Sequence, residues 1–335
     1  MHSLLHLEEP AGPPAVSTGH LPDPATVVGL VEAAWERYRP ISEGKVADYI
    51  PALAKASPEW FGLCVAGVDG ALHATGDADR PFSIQSISKP FVFALVCQAL
   101  GGGRAREGIG VNATGLPFNS VMAIELNAGH TMNPMVNAGA IATTSLVPGQ
   151  SHGEKWRFLL DGLSRFAGRT LTLDEEVYAS EAATNQRNQG IARLLQGYGR
   201  MYCDPDEATD LYTRQCAINV TARDLAVMGA TLADGGVNPV TRERVLDADR
   251  CKRVLAVMAT AGLYEQSGDW LYEVGLPGKS GVAGGLVTIA PGKGGLGTFS
   301  PPLDEAGNSV RGQLATRFLS ERLGLNLFAS APDAA

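Results

Sequence analysis

Ser86-Ile87-Ser88-Lys89 sets a hydroxyl and an amine three residues apart. A hydroxyl is a weak nucleophile at neutral pH until a base takes its proton, and a helix brings side chains at this spacing onto one face. The pair therefore has the makings of a nucleophile and its base. The strand-like run Phe82-Ser83-Ile84 precedes it and the apolar run Phe91 to Val96 follows. Ser86 is thus expected to open a helix whose free N–H groups and dipole favour an anion forming there. Pro90 falls early enough in that helix to be tolerated. A plainer reading makes Ser86 an N-cap and Lys89 a surface residue. The spacing recurs at Ser42-Glu43-Gly44-Lys45, a polar segment with an internal glycine, which reads as a solvated turn.

Lys279-Ser280-Gly281 adds a second half to the first motif. In serine acyl-transfer enzymes built on S-x-x-K, a later K-[ST]-G tripeptide on a strand lines the opposite wall, with its glycine leaving room for substrate along the backbone. No S-x-N or Y-x-N tripeptide supplies the middle motif of β-lactamases and penicillin-binding proteins, and no export signal is evident. The scaffold fits those enzymes; a cell-wall substrate does not.

The elements that must hold these motifs divide into two textures. Residues 1–24, rich in proline, glycine and small polar residues, read as a disordered tail, and residues 329–335 as a C-terminal tail. A helix is expected from Pro24 or Ala25. Residues 61–68 and 71–75 flank Asp69-Gly70, a tight-turn pair that predicts a hairpin. Residues 99–221 read as helices broken by turns, with segments at 156–166, 174–183, 188–198 and 206–213. Helices at 222–233 and about 250–261 follow. Strands at 285–290 and 295–300 bracket Pro291-Gly292-Lys293-Gly294, which lacks the P-loop order and predicts another hairpin. The expected fold is α+β: an antiparallel sheet flanked by helices, assembled from 25–98 and 222–328, with an all-helical domain of 99–221 inserted.

Composition narrows the chemistry. The net charge of −8, with no basic cluster, removes the footprint that nucleic acid or an anionic membrane surface requires. Five cysteines without C-x-x-C spacing and six histidines, of which only His2 and His6 in the N-terminal tail stand four apart, indicate reduced core thiols, no metal and a cytoplasmic protein. The longest apolar stretch is about half of a membrane span.

The chain resembles the glutaminases of the serine-dependent, β-lactamase-like fold over about residues 27–327. The resemblance rests on Asp48-Tyr49-Ile50-Pro51, the segment 82–89, Asn133-Pro134-Met135-Val136-Asn137-Ala138-Gly139-Ala140-Ile141, Glu181 with Arg187-Asn188, Tyr212 to Cys216, Gly262-Leu263-Tyr264 and 276–282. It implies hydrolysis of the side-chain amide of L-glutamine to L-glutamate and ammonia through a serine acyl-enzyme, without a cofactor. Ser86 is similar to the nucleophile and Lys89 to its proton acceptor. Tyr49 and Tyr264 resemble tyrosines that place or relay protons, and the N–H groups of Ser86 and Val282 resemble an oxyanion hole. Asn137, Glu181, Asn188 and Tyr212 resemble residues that grip the amino-acid end, with Glu181 facing the ammonium. The family commonly forms homodimers or homotetramers.

Taken singly, each residue has a plainer role. Asn137 fits a helix cap, Glu181 and Asn188 an exposed helix face, the tyrosines core aromatics, and Lys279 an edge-strand guard. Two other functions share the pattern: a different serine-acyl hydrolase acting on esters or β-lactams, and a non-catalytic binding module.

Overall fold

The computed structural model describes residues 19–330. Residues 1–18 of the expected N-terminal tail and 331–335 of the expected C-terminal tail lie outside the described residues. Strands β1 (Gly62–Gly67) and β2 (Leu72–Gly76) form the first hairpin; β3 (Phe82–Ser83), β4 (Thr172–Leu173) and β5 (Ile218–Val220) are short. Strands β6 (Gly278–Ser280), β7 (Gly285–Ala290) and β8 (Gly294–Phe299) come late in the chain. The helices are α1 (Pro24–Tyr38), α2 (Ser88–Leu100), α3 (Gly102–Ile109), α4 (Val121–Leu126), α5 (Asn137–Ser145), α6 (His152–Ala167) and α7 (Glu175–Ala182). They continue with α8 (Gln186–Gly197), α9 (Pro205–Cys216), α10 (Ala222–Ala233), α11 (Ala248–Ala261), α12 (Ser267–Glu273) and α13 (Val310–Arg322).

The main sheet is antiparallel with order β2-β1-β8-β7-β6, so strands from both parts of the chain meet at the β1–β8 seam. Strand periodicity decides what each face packs against. Leu63 and Val65 join Leu286 and Leu296 under α1 and α13, whereas Cys64 and Ala66 meet Ala226, Val227 and Ala230 of α10 on the other face. Helix α10 lies unusually close to the sheet because β8 offers glycines there. A Cβ on Gly297 would sit 2.0 Å from the Ala222 carbonyl, and one on Gly295 would sit 2.3 Å from that of Ala226. Thr221 and Asp224 close a reciprocal capping box at the start of α10, and Arg169 bonds both oxygens of Asp224.

A second sheet, β3-β5-β4, ties the strand before Ser86 to the segment that leaves the mid-chain helices. Phe82 stacks on Phe299 of β8 with centroids 4.2 Å apart, which locks β3 against the main sheet. The following helix α2 is buried from Ser88 to Cys97 and packs among α3, α5, α6 and α11. Such encirclement explains an apolar run without an amphipathic stripe.

Both expected hairpins are present: Gly70 adopts φ +91° between β1 and β2, and Gly292 φ +77° between β7 and β8. The Ser42–Lys45 turn is less free than expected, because Lys45 pairs with Leu303 as an isolated bridge. Helix α13 was not anticipated by the periodicity reading. Its buried positions include Arg311, Gln313, Thr316 and Ser320, which blur any apolar pattern.

Gly297→Ala is expected to destabilise the protein by about 1–3 kcal/mol, because the new methyl must push α10 off the sheet. A urea unfolding midpoint indistinguishable from that of the unsubstituted protein would contradict this packing.

Candidate active site

Strand pairing carries the chain to Ser86. The Ile84 N–H donates to the Ile218 carbonyl at 2.8 Å, extending the β3–β5 ladder by one step. Gln85 then turns left-handed, with φ +50°, a conformation that costs a non-glycine residue about 1–2 kcal/mol. Ser86 therefore does not open an α-helix as expected. It lies in a 3-10 turn, Gln85–Ile87, and α2 begins two residues later at Ser88. The polar middle of the motif supports this turn. Ser88 Oγ donates to the Gln85 carbonyl at 2.8 Å and accepts from Gln215 Nε2 at 3.2 Å, and Thr144 Oγ1 donates to Gln215 Oε1 at 3.1 Å.

Gly281 of the K-S-G tripeptide meets this same turn. A Cβ there would approach the Ile84 carbonyl to 2.9 Å and the Gln85 Cβ to 3.3 Å. The glycine thus makes room for the Gln85–Ile87 turn, a correction to the expectation that it makes room for substrate. Lys279 is fully buried and no edge guard: its Nζ donates to the Ser280 carbonyl at 2.9 Å and stands 4.1 Å from the centroid of the Tyr264 ring.

Lys89 is likewise buried. Its Nζ donates to Asn137 Oδ1 at 2.7 Å and to the Met135 carbonyl at 3.2 Å; among the described residues it makes no direct hydrogen bond to Ser86. The phenol of Tyr264 stands beside Ser86 and donates to the Ser280 carbonyl at 3.3 Å. Tyr264, like Gln85, holds a left-handed backbone, φ +54°. No backbone carbonyl among the described residues accepts from the N–H of Ser86 or of Val282.

Asn137, at the first turn of α5, is a hub: it accepts from Lys89, donates to Asn188 Oδ1 at 3.0 Å and accepts from the Tyr212 phenol at 3.3 Å. It reaches this position because α5 runs hard against the preceding loop, where a Cβ on Gly139 would overlap the Asn133 carbonyl at 1.8 Å. Glu181 is buried and accepts from Gln85 Nε2 at 3.3 Å. Asn188 is half-buried on α8, so neither residue belongs to a fully solvated helix face. Ser86, Asn137, Glu181, Asn188, Tyr212 and Val282 line one cavity of about 320 Å³, with Tyr49 at its edge. Tyr49 is 59% exposed, yet it lines the cavity together with the buried residues.

Removal from water sets the charges here. Burial pushes the Lys89 ammonium down to about 8, against the opposing influence of Cys216 and Glu181. Burial pushes Glu181 up to about 7, against the Gln85 bond and the Lys89 charge. Lys279 falls well below the ordinary lysine value through burial and then through repulsion from Lys89. Burial raises Tyr264 to about 12 despite its bonds to Ser86 and Ser280.

The motif reading overlooked Gln85, Ser88, Gln215 and the thiol of Cys216, which borders the cavity beside Tyr212 and Ser88. Cys216 ends the Tyr212 to Cys216 segment, but nothing in its spacing marks it as part of a cavity. Seven of the predicted residues, Tyr49, Ser86, Asn137, Glu181, Asn188, Tyr212 and Val282, line the cavity; Lys89 stands outside it, joined through Asn137, and Tyr264 lies beside Ser86. Among the described residues no group of three or more His, Cys, Asp or Glu side chains is placed to hold a metal, and no helix is long and apolar enough to cross a membrane.

Ser88→Ala is expected to cost about 1–3 kcal/mol, since it releases the Gln85 carbonyl and leaves the Gln215 amide unpaired in a dry core. Chemical denaturation measures this, and a loss below about 0.5 kcal/mol would contradict the proposed support of the turn.

Comparison with known proteins gives a consistent picture. A glutaminase family profile matches residues 44–328. "Glutaminase 2" of Yersinia pestis is 65% identical over 317 residues, covering 95% of this chain and 93% of the relative. A glutaminase of Colwellia psychrerythraea is 49% identical, covering 92% of this chain and 99% of the relative. Among solved structures, a probable glutaminase, ybaS, superposes with a TM-score of 0.91 at 45% identity, covering 92% of this chain and all of the other. The α+β architecture with its antiparallel sheet is the β-lactamase-like fold of these proteins.

Proposed function

We propose that this chain, which belongs to the glutaminase family and hydrolyses the side-chain amide of L-glutamine to L-glutamate and ammonia, does so through an acyl-enzyme on Ser86. The observation that carries this reading is the burial of Lys89 one turn from Ser86, which holds the amine near a pKa of 8. At pH 7 roughly one Lys89 in ten is then neutral and able to accept a proton, whereas an ordinary lysine would be neutral in fewer than about one in a thousand. A shift of the amine away from Asn137 and toward Ser86 on substrate binding brings base and hydroxyl together, since catalytic hydrogen bonds commonly tighten only in the complex.

Ser86 Oγ attacks the side-chain carbonyl carbon. The oxyanion is received by the N–H groups of Ser86 and Val282, each contributing roughly 3 kcal/mol to lowering the barrier. Tyr264 keeps its proton to about pH 12 and touches Ser86, which suits it to relay that proton to the departing nitrogen. The C–N bond breaks, ammonia leaves, and water then releases glutamate from the Ser86 ester. These steps call for no cofactor.

At the far end of the cavity Glu181 receives the ammonium group of the substrate, while Asn137, Asn188 and Tyr212 supply hydrogen bonds to its carboxylate side. Tyr49 covers the mouth. A carboxylate placed to meet an ammonium favours a free amino acid over an ester or a β-lactam. Five free cysteines accord with a cytoplasmic setting, and a homodimer or homotetramer is carried forward from the family resemblance.

Ser86→Ala is expected to fold normally and lose glutamine hydrolysis by at least about a thousandfold, with no mass adduct from a reactive glutamine analogue. Near-full ammonia release by that variant removes Ser86 from the nucleophile role. The pH dependence follows from two signs. Glu181 must be ionised, which holds above about pH 7, and Lys89 must be neutral, which holds above about pH 8. As pH falls, kcat/KM should first decline in proportion to hydroxide below about 8, then with nearly twice that slope below about 7. In Glu181→Gln the lower limb should vanish, KM for glutamine should rise, and the remaining limb should move below 8, because Lys89 loses a neighbouring negative charge. An unchanged two-limb profile in that variant would contradict the assignment.

A further inference from the structure

Beside the substrate cavity lies a second, larger chamber of about 680 Å³. The two share Tyr49, Phe118 and Val282 as a common wall. The shared wall adjoins the reacting end: Phe118 packs on the Tyr264 ring with centroids 4.6 Å apart. Gly307, on the wall of the second chamber, lies against both reacting-end residues: a Cβ placed there would meet Tyr264 Cε2 and Val282 Cγ1, each at 3.7 Å. Ser86, Glu181, Asn188 and Tyr212 do not border this chamber, so it is reached from the reacting end past Val282. Ammonia is the smallest nitrogen leaving group there is, and a space about twice the size of the substrate cavity exceeds what its departure needs.

We propose that this chamber receives the nitrogen substituent of N-substituted γ-glutamyl amides, so that the enzyme hydrolyses γ-glutamyl amides of primary amines as well as glutamine. The proposal rests on the reading of Ser86 and Val282 as the reacting end. The glutamyl portion sits as glutamine does, and the substituent extends past Val282 into the chamber. Ser86 Oγ bonds to the carbonyl carbon, the C–N bond breaks, and the amine leaves with a proton relayed by Tyr264. Water then cleaves the ester, giving glutamate and a primary amine.

The lining states which substituents fit. Phe118, Leu303 and Ala306 offer apolar surface, and Glu43, Asp304 and Glu305 outnumber Lys45. Asp304 is fixed in place by the N–H groups of Ala306 and Asn308 and by the amide of Gln313. Neutral alkyl or aryl substituents are favoured over anionic ones such as an amino-acid carboxylate, and the leaving amine departs as a cation toward carboxylates.

Steady-state kinetics on glutamine, L-γ-glutamylethylamide and L-γ-glutamyl-p-nitroanilide test this, in the unsubstituted enzyme and in Ala306→Trp, which fills the chamber without touching the substrate cavity. Both substituted amides should be turned over. Ala306→Trp should leave kcat/KM for glutamine within about twofold and lower that for the anilide by about tenfold or more. Should that variant fail to fold, Ala306→Leu gives the same comparison with a smaller effect. Enzyme that hydrolyses glutamine but neither substituted amide overturns the proposal and leaves the glutamine reading intact, as does an equal loss on all three substrates in Ala306→Trp. Absence of glutamine hydrolysis together with absence of a Ser86 adduct overturns the underlying reading instead.

Discussion

Two lysine amines and a carboxylate share a space that water scarcely enters. Lys89 and Lys279 are buried completely and Glu181 nearly so. Charging both amines there would set like charges together in a medium of low polarity, which costs far more than in water. The pocket therefore holds fewer protons than the same groups would in solution. Lys279 gives up its charge most readily, since burial and the Lys89 ammonium both act against it. Lys89 retains some hold on its proton through Cys216 and Glu181. The resulting gradation supplies an amine poised near physiological pH beside a hydroxyl, with no metal or external base invoked.

The fold serves this constraint through close approach. Glycines on β8 let α10 settle onto the sheet, Gly139 lets α5 meet the Asn133 loop, and Gly281 lets the K-S-G strand touch the turn that carries Ser86. The last two contacts bring backbone where a side chain would otherwise stand, beside the loop that holds Lys89 through Met135 and Asn137 and beside the turn that carries Ser86. The left-handed residues Gln85 and Tyr264 flank the same hydroxyl, one in the chain and one in space. Their strain is held by Ser88, by Ser267, which donates to the Tyr264 carbonyl at 2.8 Å, and by the packing around them. A nucleophile held this rigidly loses little orientational freedom at the moment of attack.

Much of the architecture was legible because period and turn chemistry spoke clearly. The Asp69-Gly70 and 291–294 turns announced their hairpins, and helices α6 to α11 followed from apolar spacing bounded by glycine and proline. Three kinds of feature were not legible. Strands β4 and β5 are two or three residues long and carry no period, whereas β3 falls in the strand-like run before Ser86. Helix α13 buries Arg311, whose guanidinium bonds Ser300 and the carbonyls of Pro58 and Trp60, so charge marked a core position. The site residues could be named by resemblance, but their arrangement could not be foreseen. That Lys89 would rest on Asn137, and that Ser88 would hold the Gln85 carbonyl through contacts to α9 and α5, depends on pairings between residues 46 to 127 positions apart.

The central claim is that Lys89 is an amine of lowered basicity. NMR of protein labelled at lysine Cε reads it directly: the resonance that disappears in Lys89→Arg should titrate near pH 8. A Lys89 resonance that titrates at the ordinary lysine value, about 10.4, would contradict the claim and leave Ser86 without its proposed base.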